Sequence, residues 1–325
     1  MELTSEILKE KAKSLGADRV AIGNIERWKG APIQMDPKQI MPNAKSIIAM
    51  AFRIMRGSLR GIEEGTFFSN YSSMGYGGLT YLYIPMVVIN LSKFIEDFGY
   101  EAIPYGHQSD WRAIDNEGNL RENYSKPVAP GKAHPDVMVH LRIAGFLAGL
   151  GEIGYSKLLL TPEFGPRQRI GIVITEATLE PDPIIEPGTL CDRCMACVKE
   201  CPGNAINPEE TLKVVFPYFG NLEVEGGKFD CKACDIAFRG GRPVKPEDDD
   251  GSLPDYIDQL LYGYKIKPNY ITPFYKKPRN LYNVGQAICG ARCMRACMIH
   301  LEKKGILENK FKEPFRKQRP WRVEW

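Results

Sequence analysis

The sequence predicts a protein of mixed α and β structure in two parts, residues 1–185 and 186–325. Three observations lead there. Helix-spaced apolar stripes alternate with apolar runs of strand length as far as residue 175. Prolines then recur over 181–188 and mark a boundary. Beyond it the chain reads Cys191, Cys194, Cys197, Cys201, Pro202, a C-x-x-C-x-x-C-x-x-x-C-P run. At 325 residues, 43% hydrophobic and 26% charged, the chain is long enough for two parts with sizeable cores.

Leu3, Ile7, Leu8, Ala12 and Leu15 share one helical face, with Thr4 or Ser5 able to cap the start and Gly16 to close the end. Residues 19–23 read as a short strand, 24–43 as a Pro- and Gly-rich surface connection, and 46–52 as a strand. The stretch 57–78 is rich in glycine and holds Tyr71 and Tyr76. It reads either as a loop lining a planar ligand or as an irregular loop packed by its own aromatics. Ile84, Val87, Val88, Leu91, Ile95 and Phe98 make a second helix, stopped by Gly99. Residues 100–105 look extended, and 107–132 form a polar segment long enough to be a functional loop. A third helix is expected over 136–150, where Ala144, Gly145, Ala148 and Gly149 let another backbone come close. Residues 158–160 and 170–175 read as strands around the turn 161–166. Residues 240–254 are expected to be exposed, and 303–325 to wrap back and pack through Phe311, Phe315, Trp321 and Trp325; a basic partner-binding tail is the other reading.

The four-cysteine run is the bacterial ferredoxin signature for 4Fe–4S clusters; its fourth cysteine serves the other cluster in two-cluster proteins. A second cysteine group is therefore required, and Cys231, Cys234, Cys289, Cys293 and Cys297 supply candidates. Crossed ligation assigns Cys191, Cys194, Cys197 and Cys297 to the first cluster. Cys201, Cys289, Cys293 and one of Cys231 or Cys234 fall to the second. The spacing from Cys289 to Cys293 is one residue longer than usual, and Met298 stands where proline is common. If Cys289 is not a ligand, both Cys231 and Cys234 serve; zinc held by that pair is the other reading. Nine cysteines leave one spare. No export signal precedes them and no apolar run of about 18 residues occurs, so the expected setting is a reducing cytoplasm without a membrane span.

The segments Gly149-Leu-Gly-Glu-Ile-Gly154, Leu158-Leu-Leu-Thr-Pro-Glu-Phe-Gly-Pro-Arg167, Arg169-Ile-Gly-Ile-Val-Ile-Thr175 and Cys191 to Pro202 resemble the core of the reductive dehalogenases and, more distantly, epoxyqueuosine reductase. The stretch Phe98-Gly99-Tyr100-Glu101-Ala102-Ile103-Pro104 looks closer to the dehalogenase branch. The resemblance implies an α+β fold: a nitroreductase-like, cobalamin-binding domain followed by a ferredoxin-like domain with two 4Fe–4S clusters. It implies base-off cobalamin, approached by Gly151 and by the turn Pro162, Glu163, Phe164, Gly165, Pro166, Arg167. A turn glycine there avoids a side-chain clash; the other reading is that Gly165 and Pro166 only shape a tight turn.

The implied activity is reductive cleavage of a carbon–halogen or carbon–oxygen bond, completed by a proton donor. Candidates are Tyr155, with Lys157 nearby, then His134, Asp136 and Tyr105. Tyr155 ends the Gly-Glu-Ile-Gly turn, where the resembling families place a basic residue. Its phenol can donate, or it can simply pack, and Asp136 can instead cap the helix after Pro135. The expected partners are a small organic substrate and an electron donor such as ferredoxin or flavodoxin. The formal net charge of +3 is too mild to point to nucleic acid. An epoxyqueuosine reductase acting on tRNA, or an iron–sulfur electron carrier serving corrinoid proteins, are the alternatives.

Overall fold

The computed structural model describes residues 2–107, 126–135, 137–238, 241–243, 266–268 and 289–320. Within them the first part is a mixed α+β layer structure built on β2 (Ser46–Arg53). Its sequence is apolar without alternation because both faces are covered. Ile48, Met50 and Phe52 enter one core and Ile47, Ala49 and Ala51 the other, all with no exposed surface. Strand β1 (Arg19–Asn24) and strand β6 (Gln168–Thr175) flank β2, and β3 (Ala102–Tyr105) closes the far edge. Every neighbour in this four-stranded sheet is antiparallel.

Helix α1 (Ser5–Leu15) and helix α3 (Ile84–Glu96) cover one face. The cap predicted for α1 forms: Thr4 Oγ1 accepts from Ile7 N–H at 3.3 Å, and Gly16 ends the helix at φ +115°. Helix α4 (Leu141–Ala148) covers the other face. It begins five residues later than expected because His140 caps it, Nδ1 accepting from Ile143 N–H at 3.3 Å. Its small residues act as predicted: a Cβ on Gly149 would lie 2.3 Å from Pro183 O. Between β4 (Glu152–Ile153) and β5 (Leu159–Leu160) the chain makes a tight hairpin.

The stretch 57–78 departs from expectation. A short helix α2 (Arg60–Glu64) is followed by a wide π-type helix, Tyr71–Tyr83, that runs straight into α3. The resulting helix Tyr71–Glu96 is long and apolar enough, by composition, to cross a membrane, a stretch not foreseen from the sequence. Its inner side, including Ile84, Val87, Val88, Leu91 and Ile95, lies in the sheet-facing core.

In the second part, α5 (Ala196–Lys199) is followed by a hairpin of β7 (Ile206–Phe216) and β8 (Leu222–Phe229). Helix α6 (Cys231–Phe238) and a small pair, β9 (Gly241–Pro243) with β10 (Ile266–Pro268), come next. Helix α7 (Arg292–Lys303) then returns to the first part. Met294, Met298 and Leu301 recur at helical spacing and are buried, the two methionines in the α1–α3 core. Met298 replaces the usual proline because the helix continues through it. The following segment packs as predicted: Phe315 is 1% exposed and Arg56 lies 3.6 Å above the Phe311 ring. Trp321 and Trp325 lie outside the described residues.

Candidate functional site

Of the first four cysteines, Cys191 and Cys194 sit on a short loop leading into α5 and Cys197 lies in its first turn. Arg193 and Met195 take left-handed backbone angles there (φ +53° and +60°), which folds the loop tightly enough for its thiols to converge. Cys191, Cys194, Cys197 and Cys297 line one recess. Cys297 reaches it from α7, and the Cys191, Cys197 and Cys194 sulfurs are the charges that act on it. Burial pushes the Cys197 thiol up to about 11. Two groups missed by the sequence reading hold this loop. Glu152, fully buried, accepts from the amides of Leu190 (3.1 Å) and Cys191. Asp192 bonds His300 Nε2 at 2.9 Å and Lys304 Nζ at 2.8 Å, tying the loop to α7. Glu152 stood within the quoted Gly-Glu-Ile-Gly run, so a signal existed; its role as an amide acceptor did not follow from it.

The second set comes together from three segments. Cys293 feels Cys289, Cys234 and Cys201, in that order, and burial holds its thiol well above the ordinary range. Ala205 N–H donates to Cys201 Sγ at 3.3 Å. Cys231, one turn before Cys234 at the start of α6, is exposed, whereas Cys234 is half-buried and acts on Cys293. Cys234 is therefore the candidate fourth member beside Cys289. Helix α7 contributes Cys293 to this set and Cys297, one turn on, to the other. Four soft thiol donors converging at each place fit a 4Fe–4S cluster, whose irons take four cysteine ligands.

Several expected site residues have other tasks. Tyr155 is 5% exposed; its N–H donates to Cys191 Sγ at 3.3 Å and its hydroxyl to Asn207 O at 2.9 Å. That phenol belongs to the packing around the first recess. Lys157 takes φ +60° in the β4–β5 hairpin and its carbonyl accepts from Arg142 Nη1 at 2.9 Å. The Tyr105 hydroxyl accepts from Val139 N–H at 3.1 Å. The backbone of His134 pairs with the Gln34 side chain. Asp136 lies outside the described residues.

The turn expected to approach a corrin is enclosed by protein. Glu163 pairs with Arg19, and Arg167 is 1% exposed, donating to Ile54 O and, at 2.8 Å, to Asn309 Oδ1. Pro162 and Glu163 carbonyls accept from Glu308 and Asn309 amides, while Phe164 and Pro166 are buried. A Cβ on Gly165 (φ +58°) would meet Leu301 at 2.9 Å. On Gly151 it would lie 2.0 Å from Leu160 O. These residues need their shape for protein packing.

Tyr71, Tyr76, Tyr81, His107 and Arg169 form a separate cluster of aromatic and basic side chains. Tyr76 and Tyr81 hydroxyls are 3.4 Å apart, and the Tyr81 ring meets His107 edge-on at 5.7 Å. Arg169 stacks 4.1 Å from the Tyr76 ring centre and donates to Tyr71 Oη at 3.1 Å. His140 and Arg142 have water-accessible side chains, yet protein surrounds them closely. Partial loss of bulk water lowers both pKa values, that of His140 to about 4.

No family model matches the chain. The tetrachloroethene reductive dehalogenase of Desulfitobacterium hafniense is 29% identical over 243 residues, 66% of this chain and 41% of the relative. The epoxyqueuosine reductase of Bacillus cereus is 33% identical over 234 residues, 70% of this chain and 48% of the relative. The chain thus spans less than half the length of either. A reductive dehalogenase whose structure suggests a mechanism for B12-dependent dehalogenation superposes with a TM-score of 0.49 at 22% identity, covering 70% of this chain and 28% of that one. That superposition is too loose to carry function. The sequence relatives are reductases of both kinds. The chain belongs to the reductive dehalogenase and epoxyqueuosine reductase family.

Proposed function

We propose that the protein is a cytoplasmic, cobamide-dependent iron–sulfur reductase of a small organic substrate. In this reading a nitroreductase-like domain, 1–185, precedes a ferredoxin-like domain, 186–325. The observation that carries it is the grouping of the thiols: Cys191, Cys194, Cys197 and Cys297 line one recess, and Cys289, Cys234 and Cys201 act on Cys293. When bound, two 4Fe–4S clusters and base-off cobalamin would supply electrons, drawn from a ferredoxin or flavodoxin, to a carbon–halogen or carbon–oxygen bond.

The chain's own residues hold the proton and the substrate. The Tyr76–Tyr81 pair takes over the donor role first sought at Tyr155. Burial and the neighbouring Tyr76 hydroxyl raise the Tyr81 pKa, so its phenol remains protonated at neutral pH. Arg169, stacked on Tyr76, keeps the ring pair in place. The test is anaerobic reconstitution with iron, sulfide and cobalamin. About eight irons per chain and a cob(II)alamin resonance without nitrogen splitting are expected. Retained clusters without cobalamin would favour the electron-carrier alternative. The Bacillus cereus relative keeps the tRNA reading in view. Tight, salt-sensitive binding of a tRNA stem-loop in a shift assay would favour it.

A further inference from the structure

The segment from Cys289 to Cys293 is one residue longer than usual, and the structure shows where that residue goes. Gly290 and Ala291 both take left-handed backbone angles, φ +46° and +52°, before α7 starts at Arg292. A left-handed alanine is strained unless its surroundings hold it there. Cys289 O accepts from Arg292 N–H at 2.8 Å, and Ala291 O from Arg295 N–H at 2.9 Å. The Arg295 side chain then reaches back: Nε donates to Gly290 O at 2.9 Å, while Nη1 pairs with Glu63 on α2. A Cβ on Gly290 would lie 2.2 Å from the Ile62 side chain, so α2 also closes over the turn. Cys289, Ala291, Arg295 and Glu63 are all buried. Arg292, Arg295 and Arg316 line the recess beside the turn against Glu63 and Glu200, three cations to two anions. The first thiol loop is held by the opposite charge, the Glu152 carboxylate behind the amides of Leu190 and Cys191.

We propose that Arg295 is a positioning residue for the second cluster: through Gly290 O it holds the lengthened turn that presents Cys289, and its buried charge raises that cluster's reduction potential. This deepens the iron–sulfur reading and rests on it. A 4Fe–4S cluster gains one negative charge when it takes up an electron, so a fixed cation beside it favours the reduced form. Burial keeps water from screening that charge. Glu63 fixes the guanidinium through Nη1 and leaves Nε turned to the cysteine turn. Glu63 also opposes the charge it holds, so the two residues pull the potential in opposite directions.

The test is a redox titration of the full chain, reconstituted anaerobically with iron and sulfide and followed by electron paramagnetic resonance. The second cluster is identified as the one that Cys234→Ser removes. Arg295→Gln should make that cluster at least about tenfold harder to reduce, a shift of about 59 mV for one electron, while the other midpoint stays put. Glu63→Gln should shift the same midpoint upward, and Arg295→Lys, which keeps the charge, should leave it near its original value. Opposite signs separate this role from a structural one, because loosened packing has no reason to reverse with the charge removed. Should Arg295→Gln lose the second cluster or the fold, the rise in Glu63→Gln and the unmoved value in Arg295→Lys decide. Unmoved midpoints, an equal shift of both clusters, or shifts of one sign in Arg295→Gln and Glu63→Gln would overturn the proposal and leave the iron–sulfur reading standing. About four irons per chain in the unaltered protein would instead remove that reading, and the proposal with it.

Discussion

The two thiol sets are built in opposite ways. The first takes three members from seven consecutive residues and lies beside an exposed loop carrying Asp192 and Arg193. The second takes Cys201, Cys234 and the Cys289–Cys293 pair from distant segments, with Cys289 and Cys293 deeply surrounded and Arg142 close by. In the proposed reading, a surface centre suits the receipt of electrons from a partner and a deeply surrounded one their delivery. Local spacing is enough to specify the first; the second exists only if the whole chain has folded.

Substitutions can break that contrast. Cys194→Ala should remove the first cluster and about four of about eight irons, since a cubane with a vacated corner is labile to solvent. Iron analysis with electron paramagnetic resonance should show the second cluster surviving; loss of all iron would mean the sets are not separate. Next, Cys234→Ser should cost the second cluster, whereas Cys231→Ser should leave the iron content unchanged. The reverse result would restore Cys231 as the ligand.

A smaller effect concerns the clamp on α7. Glu63, buried in α2, pairs with both Arg295 on α7 and Arg316 beyond it, and Arg316 also reaches Glu200 at 2.8 Å. Glu63→Gln strands Arg295, which is 2% exposed, so a loss of about 3–5 kcal/mol is expected in urea unfolding. A loss under about 1 kcal/mol would mean the methionine face alone seats α7. The smallest effect is expected at Tyr155→Phe. It removes one hydrogen bond to Asn207 O, worth about 1 kcal/mol, with full iron content and turnover. Loss of turnover with cofactors intact would return the donor role to Tyr155 and cost Tyr81 that assignment.

The same contrast governs what was legible in the sequence. Strand β2 and helices α1 and α3 announce themselves through residues close in the chain, and so do Cys191, Cys194, Cys197 and Cys201. The wide helix Tyr71–Tyr83 was read as a loop because its glycines mask a helical pattern that the neighbouring core enforces. Hairpin β7–β8 went unread because β7 is exposed over most of its length and shows no buried stripe. The enclosure of 162–167 depends on Arg19, Leu301 and Asn309, each far away in the chain. Arg169 and Tyr76, whose side chains stack, stand far apart in the chain, and nothing in either neighbourhood announces the contact.

Helix α7 has one more consequence, for the order in which the protein can be made. In the proposed ligation each centre waits for a cysteine from this helix, Cys297 for one and Cys293 for the other. A ribosome delivers these residues about a hundred positions after Cys191. Neither cubane can be sealed on the nascent chain while its earlier thiols emerge, so the maturation machinery must meet a polypeptide already folded around two unfinished sites.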